Sequence, residues 1–353
     1  MAAMRVGFDT SALTRSAVDG RRGVSRVVEN LLAALERRGR IEVVRLQPEP
    51  GRDERKWRHR ELPAAVERLS LAGLHSFTSA YPTRGPGRRV QTIHELPWKY
   101  GVAENAGWRH RWWASWGTRA AQRTLVPTQH VADALARNWG VREDRVRVCP
   151  WGVGPPFQVE PPAGVIDEVV LGELRLPQGP LVLCPGAVRP KKNLAAVLRG
   201  LARVNAGERK LSLVVTGPET EALRADLGLA SRLGLGRWIH TVGELDDDRL
   251  ASLIRLSVAV PVLSHSEGFG LTVLEALACG TPVLVPPNSA QAEVGGEAAA
   301  VVDPADDEAV GSALLRAFEQ REELRYRLPE RAEEFTWDAT AAIVERTWEE
   351  LSE

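Results

Sequence analysis

Ser264-His265-Ser266-Glu267-Gly268-Phe269-Gly270-Leu271-Thr272-Val273-Leu274-Glu275-Ala276-Leu277-Ala278-Cys279-Gly280-Thr281-Pro282-Val283 is the stretch whose reading decides the fold. The apolar run 258–263 before it reads as a buried strand, and 282–285 as the next one. Between them a glycine-containing turn opens a helix that stops at Gly280. Strand, turn, helix, strand is a parallel α/β unit. The N–H groups of Gly268, Phe269, Gly270 and Leu271 lie at the helix start, where they lack intrahelical acceptors and suit an anion or sugar hydroxyls. Glu275 follows Glu267 by eight residues, which on a continuous helix is about two turns and ~12 Å along the axis. Two carboxylates so separated share neither a proton nor a metal.

Working outward, β-like runs at 181–184, 211–215 and 238–242 precede this unit and alternate with helical spacings, so the second half reads as a doubly wound domain. The first half repeats the pattern at 5–9, 43–46, 90–94, 124–126 and 146–149. Between its first two runs, Val24, Val27, Val28, Leu31, Leu32 and Leu35 recur at helical intervals. A Gly/Pro-rich stretch, 151–162, separates the halves and reads as a linker. The predicted domains are 1–158, completed by a helix at 337–353, and 159–336. The 353 residues suffice for two such cores, and 44% hydrophobic with 26% charged residues is a globular composition. Three widely spaced cysteines, Cys149, Cys184 and Cys279, argue against a disulfide framework or a zinc cluster and fit a reducing cytoplasm. The N-terminal residues lack the charged-then-apolar pattern of a secretory leader, and no apolar run is long enough to span a bilayer. Net charge is zero, yet residues 1–160 hold 27 basic and 16 acidic residues, and the remainder holds 19 and 30. A basic first half suggests an anionic partner, and compositional drift in an Arg-rich chain is the bland alternative.

The separation of Glu267 and Glu275 matches that between the sugar and the ribose of a nucleotide-sugar laid over the helix start, one carboxylate reading each end. Here the sequence resembles the retaining glycosyltransferases of the GT-B fold, glycosyltransferase family 4, whose Glu-x7-Glu signature falls on Glu267 and Glu275. The glycines, Leu274-Glu275-Ala276 and Gly280-Thr281-Pro282-Val283 occur with it in order. The resemblance implies an α/β fold of two Rossmann-like domains facing across a cleft. It implies donor contacts from Gly268, Phe269, Gly270, Leu271, Thr272 and Glu275, with Glu267 orienting the sugar. Gly186-Ala187-Val188-Arg189-Pro190-Lys191-Lys192-Asn193 is similar to the family's phosphate loop, which puts Lys192 on the donor diphosphate and makes Arg189 a second cation; such charge-assisted donors follow charge onto a leaving group. Gly20-Arg21-Arg22-Gly23-Val24-Ser25 resembles the family's glycine-rich loop ahead of the first helix, with Gly23 allowing close approach to the diphosphate. Thr92-Ile93-His94-Glu95-Leu96-Pro97 resembles a strand-end element that places His94 on the acceptor side.

Two other features read differently. Asp246, Asp247 and Asp248 look like a metal-binding acidic motif but follow a turn and open a helix, where acidic residues are ordinary. Trp108, Trp112 and Trp116 share one helical face, which usually packs into a core; with Arg109 and Arg111 among them, the alternative is contact with an anionic membrane. The resemblance therefore implies a retaining hexosyltransferase, with Glu267, His94 and Lys192 as catalytic candidates and a nucleotide-sugar donor; the basic first half and the Trp108–Trp116 stretch add the expectation of an anionic or lipid-linked acceptor, and no nucleic acid, cofactor or metal is expected. A cytoplasmic location, peripheral to the inner membrane face, is expected. A nucleotide-sugar epimerase or sugar phosphorylase on the same fold, and a silent binding protein, are the alternatives.

Overall fold

The computed structural model describes residues 3–14, 22–49, 51–53, 56–77, 85–96 and 107–353, with the side chains of residues 22, 109, 110 and 113 excepted. The chain divides into two compact units, Met1–Gly152 with Phe335–Glu353, and Val153–Glu334.

The first unit contains β1 (Met4–Asp9), α1 (Arg22–Arg38), β2 (Ile41–Leu46), α2 (Leu62–Arg68), β3 (Gly73–Ser76), β4 (Arg88–Thr92), α3 (Trp108–Ala120), β5 (Arg123–Val126), α4 (Gln129–Trp139) and β6 (Val146–Val148). Its six strands lie in the order β2-β1-β3-β4-β5-β6, all parallel. The chain reverses its direction of travel across the sheet between β1 and β3, and the crevice beyond the carboxyl ends there is where doubly wound sheets take ligands. Val27, Val28, Leu31, Leu32 and Leu35 of α1 are buried. Several of them meet Val6 and Phe8 of β1 and, from the last helix, Ala341, Val344 and Trp348.

The second unit contains α5 (Asp167–Glu173), β7 (Leu181–Cys184), α6 (Leu194–Ala206), β8 (Ser212–Val215), α7 (Glu221–Arg232), β9 (Ile239–Thr241), α8 (Asp247–Leu256), β10 (Ser257–Pro261), α9 (Leu271–Ala278), β11 (Val283–Val285), α10 (Ala290–Gly295), β12 (Ala300–Val301), α11 (Asp307–Leu324) and α12 (Leu328–Glu333). Its parallel sheet runs β12-β11-β10-β7-β8-β9, so the reversal falls between β7 and β10. Val182, Leu198, Leu201, Leu213, Ala259, Val310 and Leu314 are among the residues filling the core.

The closing helix, α13 (Trp337–Glu350), belongs to the first unit. Trp348 is fully buried, and Arg38 pairs with Glu345 at 2.9 Å. The boundary falls at residue 152 and not after 158. Arg255 explains this: its buried guanidinium grips both oxygens of Asp167 at 2.7 Å and donates to the carbonyls of Pro156 and Gln158, tying 153–158 to the second unit. Gly152 stays with the first unit because its backbone lies against α13, where a Cβ would come 2.2 Å from the Trp337 nitrogen.

Two strands escaped the sequence pattern. β3, Gly73-Leu74-His75-Ser76, has no β-branched residue and is buried throughout, so it lacks both propensity and alternation. β12 has only two residues. Asp246 caps α8 by accepting from the Arg249 N–H, as acidic residues at a helix start should. Among the described residues no helix is long and apolar enough to cross a membrane.

Candidate functional site

At the reversal in the second sheet, the loops after β7 and β10 meet. The Lys191 carbonyl accepts from the His265 N–H at 2.8 Å, and the Asn193 amide donates to the Leu263 carbonyl at 3.2 Å. This stitching places Lys192 Nζ 3.0 Å from Glu267 Oε1 and Lys191 Nζ 3.6 Å from Glu267 Oε2. Burial alone would raise the Glu267 pKa, but the charges of Lys192 and Lys191, with hydrogen bonds from Lys192 and Ser264, outweigh it and hold the group at about 2. At neutral pH Glu267 is therefore a carboxylate, able to accept from hydroxyls and unable to act as a general acid. Lys191, 2% exposed, is a site residue that the sequence reading passed over for its neighbour. Arg189 precedes the same short helical turn, Pro190–Lys192, and is half-buried.

Glu267 precedes α9 by a turn. Gly268 and Phe269 are buried beneath that turn, and Gly270 is the N-cap with φ +99°, a backbone region in which a side chain would be strained. A glycine cap offers no side-chain acceptor, so the first N–H groups of the helix, beginning at Leu271 and Thr272, are held toward any bound anion. Only the residues from Leu271 onward are helical, which corrects the uninterrupted two-turn spacing: Glu275 stands about one turn, ~6 Å, into the helix. It is 3% exposed. A small open cleft runs beside this cluster, lined by Cys184, Gly186, Lys192, Leu194, Ser264 and Thr272 among others. Ser266 Oγ and Gln291 Oε1 are buried next to it with no protein partner. Sequence reasoning had no signal for Gln291, which arrives from α10 and donates to the Ser264 carbonyl.

The first unit has its own polar cluster at the carboxyl ends of β1, β3 and β4. Asp9, fully buried, accepts from the Ser11 N–H at 3.1 Å and the Ser76 hydroxyl at 3.3 Å. His75 packs its ring against those of Phe8 and Phe77 and shares a 2.9 Å hydrogen bond with Thr92. Burial, with the nearby His94, lowers its pKa to about 3. His94 lies just past β4, with its ring 5.1 Å from that of Trp151. Its Nε2 sits 2.9 Å from the Phe77 carbonyl, which can only accept, so Nε2 carries the proton. Burial lowers the His94 pKa to about 4 against the opposing pull of that bond. The neutral ring then presents Nδ1 as a lone-pair acceptor, and Nδ1 has no protein partner.

The structure thus joins Lys191, Lys192, Glu267 and the start of α9 in one unit, and His94 with His75 in the other. Gly23 departs from expectation: α1 already begins at Arg22, so Gly23 lies in its first turn, exposed, with nothing within 4 Å of a Cβ. Gly20 and Arg21 of that loop lie outside the described residues, as do Pro97 and the side chain of Arg109. The tryptophan face also departs. Trp108, Trp112 and Trp116 are 71%, 52% and 42% exposed, and the buried residues among the described side chains of α3 are the small Ala114, Gly117 and Thr118. Burial keeps the thiols of Cys149, Cys184 and Cys279 protonated, each pushed up to about 12. Among the described residues, no group of three or more His, Cys, Asp or Glu is placed to hold a metal ion.

Comparison with known proteins agrees in both units. The family model for "Glycosyl transferases group 1" matches residues 172–335, and that for "Glycosyltransferase Family 4" matches 57–155. A D-inositol 3-phosphate glycosyltransferase 2 of Catenulispora acidiphila is 32% identical over 243 residues, 63% of this chain and 55% of that protein. A D-inositol 3-phosphate glycosyltransferase of Streptomyces coelicolor is 31% identical over 252 residues, 63% of this chain and 54% of its own. The chain spans about half the length of these curated relatives. Among solved structures, a sucrose-phosphate synthase from Thermosynechococcus elongatus superposes with TM-score 0.76 at 20% identity over 99% of both chains. HepE of Anabaena in complex with UDP-glucose gives 0.75 at 15% identity, over 98% of this chain and 100% of that one. At such identities the likeness is one of fold, the GT-B arrangement of two Rossmann-like domains.

Proposed function

Because the chain belongs to glycosyltransferase family 4, we propose that it moves a hexose from a nucleoside diphosphate sugar to an acceptor hydroxyl with retention of configuration. The observation that carries this reading is the Lys191–Lys192–Glu267 cluster beside the glycine-capped start of α9. It offers cations and N–H groups for a diphosphate and an ionised carboxylate for sugar hydroxyls within one loop junction. The UDP-glucose in the HepE structure supports a donor of this class.

In this reaction the bond between the anomeric carbon and the donor phosphate oxygen breaks, and a bond from that carbon to the acceptor oxygen forms on the same face. The acceptor proton passes to a donor phosphate oxygen. Lys192 and Lys191, with Arg189 as a further cation, take up the charge that grows on the leaving diphosphate, where preorganised donors act most strongly. Glu267 accepts from sugar hydroxyls and fixes the ring; Glu275 accepts from the ribose. His94, neutral with Nδ1 bare, accepts from an acceptor hydroxyl and orients it. The relatives' inositol 3-phosphate and the basic first half both favour an anionic acceptor.

Thermal unfolding against a panel of nucleotides and nucleotide-sugars tests the donor, since a ligand that binds only the folded chain raises the midpoint. A nucleoside diphosphate should raise it, and Glu267→Gln should lower turnover by ~10²-fold or more while leaving nucleotide stabilisation nearly intact. No stabilisation by any nucleotide would refute the proposal.

A further inference from the structure

α3 is apolar on the wrong side. Among its described side chains the buried ones are small, Ala114, Gly117 and Thr118. At 100° per residue Trp108, Trp112 and Trp116 stand on the opposite side of the helix, and the rings of Trp112 and Trp116 stack at 5.1 Å. Elsewhere among the described residues, large exposed apolar side chains occur singly or as the pair Ile166 and Val169. Three tryptophans on one outward face are a patch, and a patch of this kind marks a contact.

The charges on α3 select the contact. Its thirteen residues contain Arg109, Arg111 and Arg119 and no Asp or Glu. Tryptophan prefers the boundary between headgroups and acyl chains, and arginine beside it pairs with phosphate. A sugar platform would surround its rings with carboxylates or amides, which α3 lacks. A symmetric second copy would bring arginine-bearing faces against each other, with no acid on either helix to offset them. We infer that the outward face of α3 docks on an anionic lipid surface, its tryptophans entering the headgroup layer. This surface is separate from the transfer chemistry, and its test needs no donor or acceptor.

The experiment is co-sedimentation of the full chain with vesicles of phosphatidylcholine alone, and of phosphatidylcholine with phosphatidylglycerol, at low and high salt. Binding should appear on the anionic vesicles and weaken several-fold as salt screens the headgroups. Trp108→Ser, Trp112→Ser and Trp116→Ser combined should reduce the bound fraction by about tenfold or more with an unchanged unfolding midpoint. Arg111→Glu, a milder change, should weaken binding to anionic vesicles and flatten its salt dependence. The proposal fails if neither vesicle binds the wild type, or if the tryptophan variant sediments like the wild type. It also fails if sedimentation velocity shows a dimer that the tryptophan variant turns into a monomer, which would make a second copy the partner.

Discussion

Each sheet has a strand-order reversal, between β1 and β3 in the first and between β7 and β10 in the second, and the groups gathered at the two differ in charge. In the second unit, the loops at the strand-order reversal hold two lysines against a carboxylate whose pKa is driven down to about 2. In the first, His75 near the end of β3 and His94 just past β4 are two histidines whose charged forms burial suppresses, with pKa values lowered to about 3 and about 4. One end carries two lysines against a carboxylate, and at the other the two imidazoles are kept neutral beside the buried Asp9. The proposed function gives the two ends different work, charge on a diphosphate at the one and an acceptor hydroxyl at the other.

The largest test of this contrast is acid. Both histidines lie below their ordinary value of 6.5 in the folded chain, so below that pH the unfolded chain binds more protons. Their contribution to stability is complete above ~6.5 and drains as pH falls toward 4, with a slope approaching about 2.7 kcal/mol per pH unit when both differ by one proton. Glu267 acts later: its contribution is complete above its ordinary 4.5 and is lost only as pH falls toward 2. Calorimetric unfolding between pH 7.5 and 5 should therefore show a strongly pH-dependent transition. His75→Gln or His94→Gln, which keeps a donor near the Nε2 position, should roughly halve that slope. Equal slopes in wild type and both variants would mean that these rings do not differ between folded and unfolded states.

Less energy rides on Glu275, which sharpens the other side of the comparison. The proposed function has Glu275 accept from ribose hydroxyls, so Glu275→Ala should weaken nucleotide binding by ~1.5–3 kcal/mol, read by titration calorimetry. Glu275 is buried in α9, so Glu275→Gln is the control for packing: it keeps the volume and one acceptor oxygen and should recover part of the affinity. Unchanged affinity in both variants would remove Glu275 from the donor site.

What could be read from the sequence followed physical signals of different range. Val258–Leu263 and Pro282–Val285 were legible because apolar runs bounded by Gly and Pro have few other uses. Leu74-His75-Ser76 was not, since a short strand buried on both faces needs no alternation. Glu267 was visible as a motif, but its pairing with Lys191 is a product of β7 and β10 lying side by side after a crossover, a long-range fact with no local trace. The tryptophans of α3 were misread because periodicity tells which residues share a face and not which face meets the core. Ala114, Gly117 and Thr118 held that answer, since they are buried and Ala114 joins the cluster of Ile93, Val126 and Leu135.

The smallest expected effect is that of removing divalent cations. A donor diphosphate needs positive charge, and the proposed function assigns that task to Lys191 and Lys192, on a backbone already stitched in place, with the start of α9 adding the partial charge of a helix N-terminus. A protein that carries its own cations gains little from a metal at the same oxygens. Turnover of the wild type in excess chelator should equal that in Mg²⁺. Lys192→Ala provides the contrast: with one cation removed, added Mg²⁺ should partly restore its turnover, because the ion can then occupy electrostatic ground the ammonium held. Abolition of wild-type turnover by chelator, with recovery on adding Mg²⁺ or Mn²⁺, would show that the second unit's resident charge does not suffice and would break the contrast between the two sheet ends on its charged side.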